Sequence, residues 1–330
     1  MEKVDSPQYL FFKHIKDHLP AHLSLVDEIA EILHVSNDSA YRRIRCDKPV
    51  SFEEVAILCI HYKISLDQFL HLNSKSIIFT GLPEASAEDD FLQYLKTFLT
   101  NIKYIHSYQK KHLFYLAKDV PSLTYFQLPE LASFKFFVWR RSVLFDPSLK
   151  RKKFSLQTDD SKYHQISKQI IKLYLQIPGT EIWNLDAVTI TLQQLNFYRE
   201  SDLFESSADY MLVLDQYLAL INHIEIQAES GKKFLIGEQP ADDAVQFNLF
   251  YNELALGDNT VLAELDDLKV TFLNHSVIHF ISTTDKKFND HTYASIMNLI
   301  SKSTQISGTG EKERTKFFNS LRNDIAKLRM

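Results

Sequence analysis

The chain has 330 residues, 45% hydrophobic and 24% charged, with a formal net charge of -5. That composition is globular and lies outside the disordered and membrane classes; the negative charge gives no support for broad nucleic-acid affinity, so any DNA contact must come from a local patch. Only 7 glycines are present, which favours long helices over tight hairpins and leaves no room for a Gly-rich cofactor cradle.

Residues 8–72 read as five short helices. Pro7 precedes the first, QYLFFKHIKDHL, and Pro20 breaks it. The second starts near Ser24, with Leu25, Ile29, Ile32 and Leu33 at helical spacing. His34-Val35-Ser36 forms a sharp turn, and Ser36 caps a third helix from Asn37 to about Ile44. Ser51-Phe52-Glu53-Glu54 is a capping box for a fourth helix to about His61. Ser65 begins a fifth, with Leu66, Phe69 and Leu70. Turn formers across 73–87 read as a linker.

From Glu88 to about Gln109 Leu92, Leu95, Leu99 and Ile102 recur on one helix face, suiting either a core helix or a partner-facing one. HLFYLAKDVP (112–121) reads as a strand, 129–145 as a helix, and 160–228 as mostly helical. FNLFYNELAL, the turn Gly257-Asp258-Asn259 and TVLAEL read as a β-hairpin, joined by strands in KVTFLN and SVIHFIST. Two helices close the chain. The expected fold is therefore mostly α: a five-helix helix-turn-helix domain (1–72), the linker (73–87), and a larger helix-rich α+β domain (88–330) with a small antiparallel sheet.

The segment EIAEILHVSNDSAYRRIR (28–45) has the parts a helix-turn-helix needs. Ala30 is small where a second helix must cross closely, Val35 plugs the turn, and Ala40 and Ile44 share the inner face of the capped helix. Its outer face can enter the major groove, where N-terminal residues reach base edges. On Ala30, Val35-Ser36 and AYRRIR (40–45), about 65 residues resemble the Cro/C1-type (XRE-like) helix-turn-helix regulators. The sequence departs from that pattern at His34 and Cys46, where the family often has glycine.

The resemblance implies a homodimeric transcriptional regulator that binds double-stranded DNA. It sets Asn37, Ser39 and Arg42 nearest the bases, Ser36, Arg43, Arg45 and Lys48 nearer phosphates, and Tyr41 against core or backbone. Through residue 72 there are 8 Lys/Arg and 11 Asp/Glu, a difference of -3, and 4 of those 8 basic residues fall within 42–48. Non-specific affinity comes from phosphate contacts, so one copy is expected to bind weakly and pairing to be required.

Other patterns carry less. His14, His18 and His22 are four apart, but Pro20 interrupts their helix. His275 and His279 share a strand face. Arg140-Arg141 and Lys150 to Lys153 are basic runs suited to anions or to solvent. Asp119 and Asp285 stand at expected strand ends. The aromatic-rich stretch 115–141 suits a core, or the wall of a small-molecule effector pocket. Cys46 and Cys59 read as reduced thiols. No leader and no apolar run near ~18 residues is visible, which points to a cytoplasmic protein without membrane association. No cofactor, metal or catalytic motif stands out, so an enzyme is not expected. The alternative is an enzyme or protein-interaction module fused to a helix-turn-helix.

Overall fold

A computed structural model describes residues 6–20, 22–62, 64, 66, 77–81, 90–254, 257–275 and 279–329. Four helices open the chain: α1 (Pro7–Asp17), α2 (Leu25–Ile32), α3 (Asn37–Ile44) and α4 (Phe52–Tyr62). Each start has a local cause. Ser6, Ser24 and Ser36 cap α1, α2 and α3 by accepting the backbone N–H three residues on. At α4 the box is reciprocal: Ser51 Oγ accepts Glu54 N at 3.2 Å and Glu54 Oε2 accepts Ser51 N at 3.1 Å. Phe11, Phe12, Ile15, Ile29, Ala30, Ala40 and Leu58 form a buried cluster of their own. The fifth helix, apart from Leu66, and all of the linker but 77–81 lie outside the described residues.

The remainder is built on a seven-stranded sheet of order β6-β5-β4-β1-β2-β3-β7. The strands are β1 (Lys111–Ala117), β2 (Gly179–Trp183), β3 (Phe247–Tyr251), β4 (Thr260–Leu265), β5 (Leu268–Asn274), β6 (Phe280–Thr283) and β7 (Thr304–Gln305). The central β1, β2 and β3 run parallel. The outer pairs are antiparallel. One face is covered by α5 (Asp90–Ser107), α6 (Pro129–Val138), α7 (Ser161–Tyr174), α8 (Thr189–Glu200), α9 (Ser207–Ser230) and α11 (Glu311–Lys327). On the other face α10 (Lys286–Ser301) packs Ile296, Tyr293 and Met297 over Phe114, Ile182 and Leu262. Side chains alternate along β1: Leu113, Tyr115 and Ala117 face the large helical layer, and Phe114 and Leu116 face α10.

This corrects the expected fold class. The sheet is a substantial mixed one with a parallel centre, so the larger part is α/β rather than a helix-rich α+β unit with a small antiparallel sheet. Two misreadings account for it. β2 (GTEIW) is buried at every position, so it lacks the alternation that marks a half-exposed strand. The hairpin across Gly257-Asp258-Asn259 does not form: β3 pairs with β2 and β7, whereas β4 crosses to β1. Part of the expected linker is also strand-like. Thr80 and Ser282 exchange backbone hydrogen bonds of 2.7 Å, which fastens 77–81 to the free edge of β6.

Candidate nucleic-acid interface

The unit α2-turn-α3 places the residues expected to meet DNA on one short helix. Its inner side is fixed by the burial of Ala40 and the partial burial of Ile44. Asn37, Asp38, Tyr41, Arg42 and Arg45 are exposed, as are Ser36 and Lys48 at its two ends. The turn demands unusual backbone. His34 has φ 52° and Cys46 φ 60°, both left-handed. These are the two positions at which the chain departs from glycine, so non-glycine residues carry a conformation that costs them about 1 kcal/mol each.

Arg43 departs from the expected role. It is 4% exposed and points inward rather than toward a phosphate. Its Nε donates to Glu54 Oε2 at 3.1 Å and its Nη2 to Glu54 Oε1 at 2.6 Å, a two-pronged grip on α4. Nη1 donates to Ser39 O at 3.0 Å and to the Ser39 hydroxyl. Hydrogen bonding to Glu54 holds the Arg43 pKa above its ordinary value, and the same contact holds Glu54 below the ordinary carboxylate value. Ser39 is thereby occupied on its inner side.

Other partners tune the outer face. Asn37 Nδ2 donates to Asp27 Oδ1 at 2.8 Å across the turn, so base contact by Asn37 requires that bond to open or to leave Oδ1 as the reader. Ser36 is both cap and exposed hydroxyl. Arg45 lies over the Tyr41 ring at 5.5 Å and reaches the Tyr41 hydroxyl at 3.3 Å, which gives Tyr41 an exposed positioning role. Behind Lys48, Gln8 of α1 staples the loop: Nε2 donates to Arg43 O at 2.8 Å and Lys48 O at 2.7 Å, while Oε1 accepts Val50 N at 3.1 Å. The sequence reading missed Gln8 and the second role of Glu54. The capping box was visible, but a 35-residue separation between Gln8 and Arg43 leaves no local signal.

With Arg43 neutralised by Glu54, the exposed charges from 36 to 48 are Arg42, Arg45 and Lys48 against Asp38 and Asp47, a net of +1. The His14 and His18 rings lie tilted against each other, centroids 4.1 Å apart, and no group of three or more His, Cys, Asp or Glu among the described residues is arranged for a metal. Asp285 caps α10 by accepting Phe288 N at 2.8 Å. No helix among the described residues is long and apolar enough to cross a membrane. The chain matches no family model, no curated protein and no solved structure.

Proposed function

We propose that this chain is a sequence-specific DNA-binding transcriptional regulator acting as a homodimer. The observation that carries the reading is the exposed row Asn37, Tyr41, Arg42 and Arg45 on a capped helix whose position is locked from inside by Arg43 and Glu54. A helix of that kind fits the major groove, where arginine can grip guanine with two hydrogen bonds. A net surface charge of +1 over 36–48 releases few counterions, so one copy holds DNA weakly and two copies on adjacent half-sites are needed. In this reading the α/β part pairs the reading heads and carries no catalytic step.

The test is selection of bound duplexes from a random pool with the full chain. A two-fold symmetric motif is expected, with half-sites about one helical turn apart. Arg42→Ala is expected to weaken binding to the selected site by about 1–3 kcal/mol without changing the melting curve. A pool that shows no enriched sequence, or an Arg42→Ala protein that binds like the parent, refutes the reading.

A further inference from the structure

Outside the carboxyl end of β1, at the boundary between the parallel centre of the sheet and its antiparallel wing, lies a cavity of about 330 Å³. Tyr94, Tyr115, Trp139 and Phe280 supply aromatic walls. Open α/β sheets bind ligands at the carboxyl ends of their strands, where connections diverge. Size and aromatic lining match a small-molecule site.

Its polar groups are the informative part. Asp119 Oδ1 is sealed from solvent and has no hydrogen-bond partner among the described residues, whereas Oδ2 accepts the Tyr125 hydroxyl at 3.2 Å. Asn274 Oδ1, which lines the same cavity, is likewise buried without a partner among the described residues. Buried acceptors are nearly always satisfied, so two orphans lining one cavity call for a ligand that donates. Lys135 enters from α6, 1% exposed. It donates to Thr191 Oγ1 at 2.9 Å and Gln194 Oε1 at 2.8 Å, which leaves one of its three N–H bonds for an acceptor. Its charge lies 4.5 Å from the centre of the Tyr125 ring. Asp119 and Lys135 feel each other's charge, yet no hydrogen bond or ion pair joins them.

We propose that this cavity binds a small zwitterion of amino-acid type, its ammonium on Asp119 and Asn274 and its carboxylate on Lys135. An ammonium offers three donors, enough for both orphan acceptors, and a carboxylate takes the spare Lys135 proton in a charge-assisted bond. The aromatic walls receive the side chain, which favours an apolar or aromatic one. A lone amine would leave Lys135 unanswered and add a second positive charge beside it. A lone acid would leave both orphan oxygens unpaired.

The test is calorimetric titration of the full chain, without DNA, using the twenty standard L-amino acids and, for the best of them, its decarboxylated amine and its deaminated acid. Trp139 emission gives a second readout, because that ring lines the cavity. At least one amino acid is expected to bind below about 1 mM, with the matched amine and acid each at least about tenfold weaker. Asp119→Asn and Lys135→Met are each expected to weaken it by a similar factor, with circular dichroism showing that both variants fold. The proposal is overturned if no amino acid binds at that concentration, if the amine or the acid binds as well as the zwitterion, or if the folded variants bind like the parent. None of these outcomes depends on DNA binding.

Discussion

Removing Glu54 should unfasten the N-terminal helical head while leaving the α/β part untouched. Arg43 is 4% exposed and, among the described residues, its side chain pairs with Glu54, whose side chain retains 21% exposure. Breaking a buried pair by deleting one member costs about 3–5 kcal/mol, because the other charge stays buried and unpaired. The partial exposure of Glu54 places this case toward the lower end. Loss of the Ser51 capping box adds about 1 kcal/mol. Glu54→Ala is therefore expected to destabilise the head by about 3–4 kcal/mol, much of what a small unit has. Both tryptophans, Trp139 and Trp183, lie in the large core, so emission follows the α/β part alone. Hydrogen exchange over α3 and α4 reports the head. Protection there should collapse in Glu54→Ala while the tryptophan unfolding curve is unchanged. Arg43→Met alone should be milder, and Arg43→Met with Glu54→Leu should regain protection, since apolar replacement of a buried pair is often neutral. A Glu54→Ala protein with parental α3 protection would refute the argument. So would a double variant that folds but loses DNA binding with a shallower salt dependence, because that result would make Arg43 a phosphate contact.

Four further outcomes follow from the same geometry. His34→Gly and Cys46→Gly remove left-handed strain and should each raise head stability by about 0.5–1 kcal/mol, read by hydrogen exchange. Gly179→Ala would set a Cβ 2.7 Å from Lys233 Nζ. A cost of about 1 kcal/mol is expected from tryptophan-monitored urea melts, and it should vanish in a Lys233→Met background. Lys233 is buried without a hydrogen-bond acceptor among the described residues, and burial pushes its pKa down to about 8. Its folded form thus binds the proton less tightly than the unfolded chain, so parental stability relative to Lys233→Met should rise with pH from about 8 to 10.5 and be lower below that window. Burial pushes Asp119 up to about 6 from 3.8, with Lys135 and Tyr125 opposing. Here the folded form holds the proton more tightly, so the contribution of Asp119 is whole below 3.8 and lost as pH rises through 6. Asp119→Asn should therefore gain about 1–3 kcal/mol on the parent between pH 4 and pH 7; a flat difference would contradict the burial of that carboxyl.

What could be read from the sequence divides by the range of the forces involved. Caps act over three residues, and Ser36 and the Ser51–Glu54 box mark the starts of α3 and α4 directly. Long-range pairing leaves no such mark. GTEIW carries a glutamate inside a fully buried strand, where Glu181 is satisfied by the Tyr174 hydroxyl at 2.7 Å and Trp183 Nε1 at 2.8 Å. A charged residue there argues against a core strand until those partners are known. The inward turn of Arg43 follows from Glu54, eleven residues away on the next helix. Lys135 did leave a trace: one lysine in the apolar run PELASFKFFV, on a helix buried from Leu131 to Val138. A lone charge in such a run is worth treating as a site before treating it as surface. Asp119 was visible as a strand-end acid. Its counterpart Asn274 was not, because nothing local shows that β5, two strands from β1 and running the same way, ends at the same edge of the sheet.

The two parts of the molecule are joined in a way that bears on how they would communicate. The carbonyl of His18, just past α1, accepts the hydroxyls of Tyr104 of α5 at 3.3 Å and of Tyr108, just past that helix, at 3.0 Å. The segment 77–81 is fastened to β6 by Thr80 and Ser282. Thr283 Oγ1 adds a 2.7 Å bond to Ile78 O, and Phe79 sits edge-on to Phe288 of α10. Asn274 and Phe280 of the cavity wall belong to the same β5–β6 pair that holds this segment. A ligand that draws Asn274 inward thus acts on a two-strand edge whose far side grips the segment 77–81, which follows the N-terminal helices in the chain. Ligands shift equilibria only through differential affinity for two states, and the candidate two-state element here is β6 with or without 77–81 paired to it. Exchange protection at the Thr80 amide, measured with and without bound zwitterion, decides whether that edge is what the cavity controls.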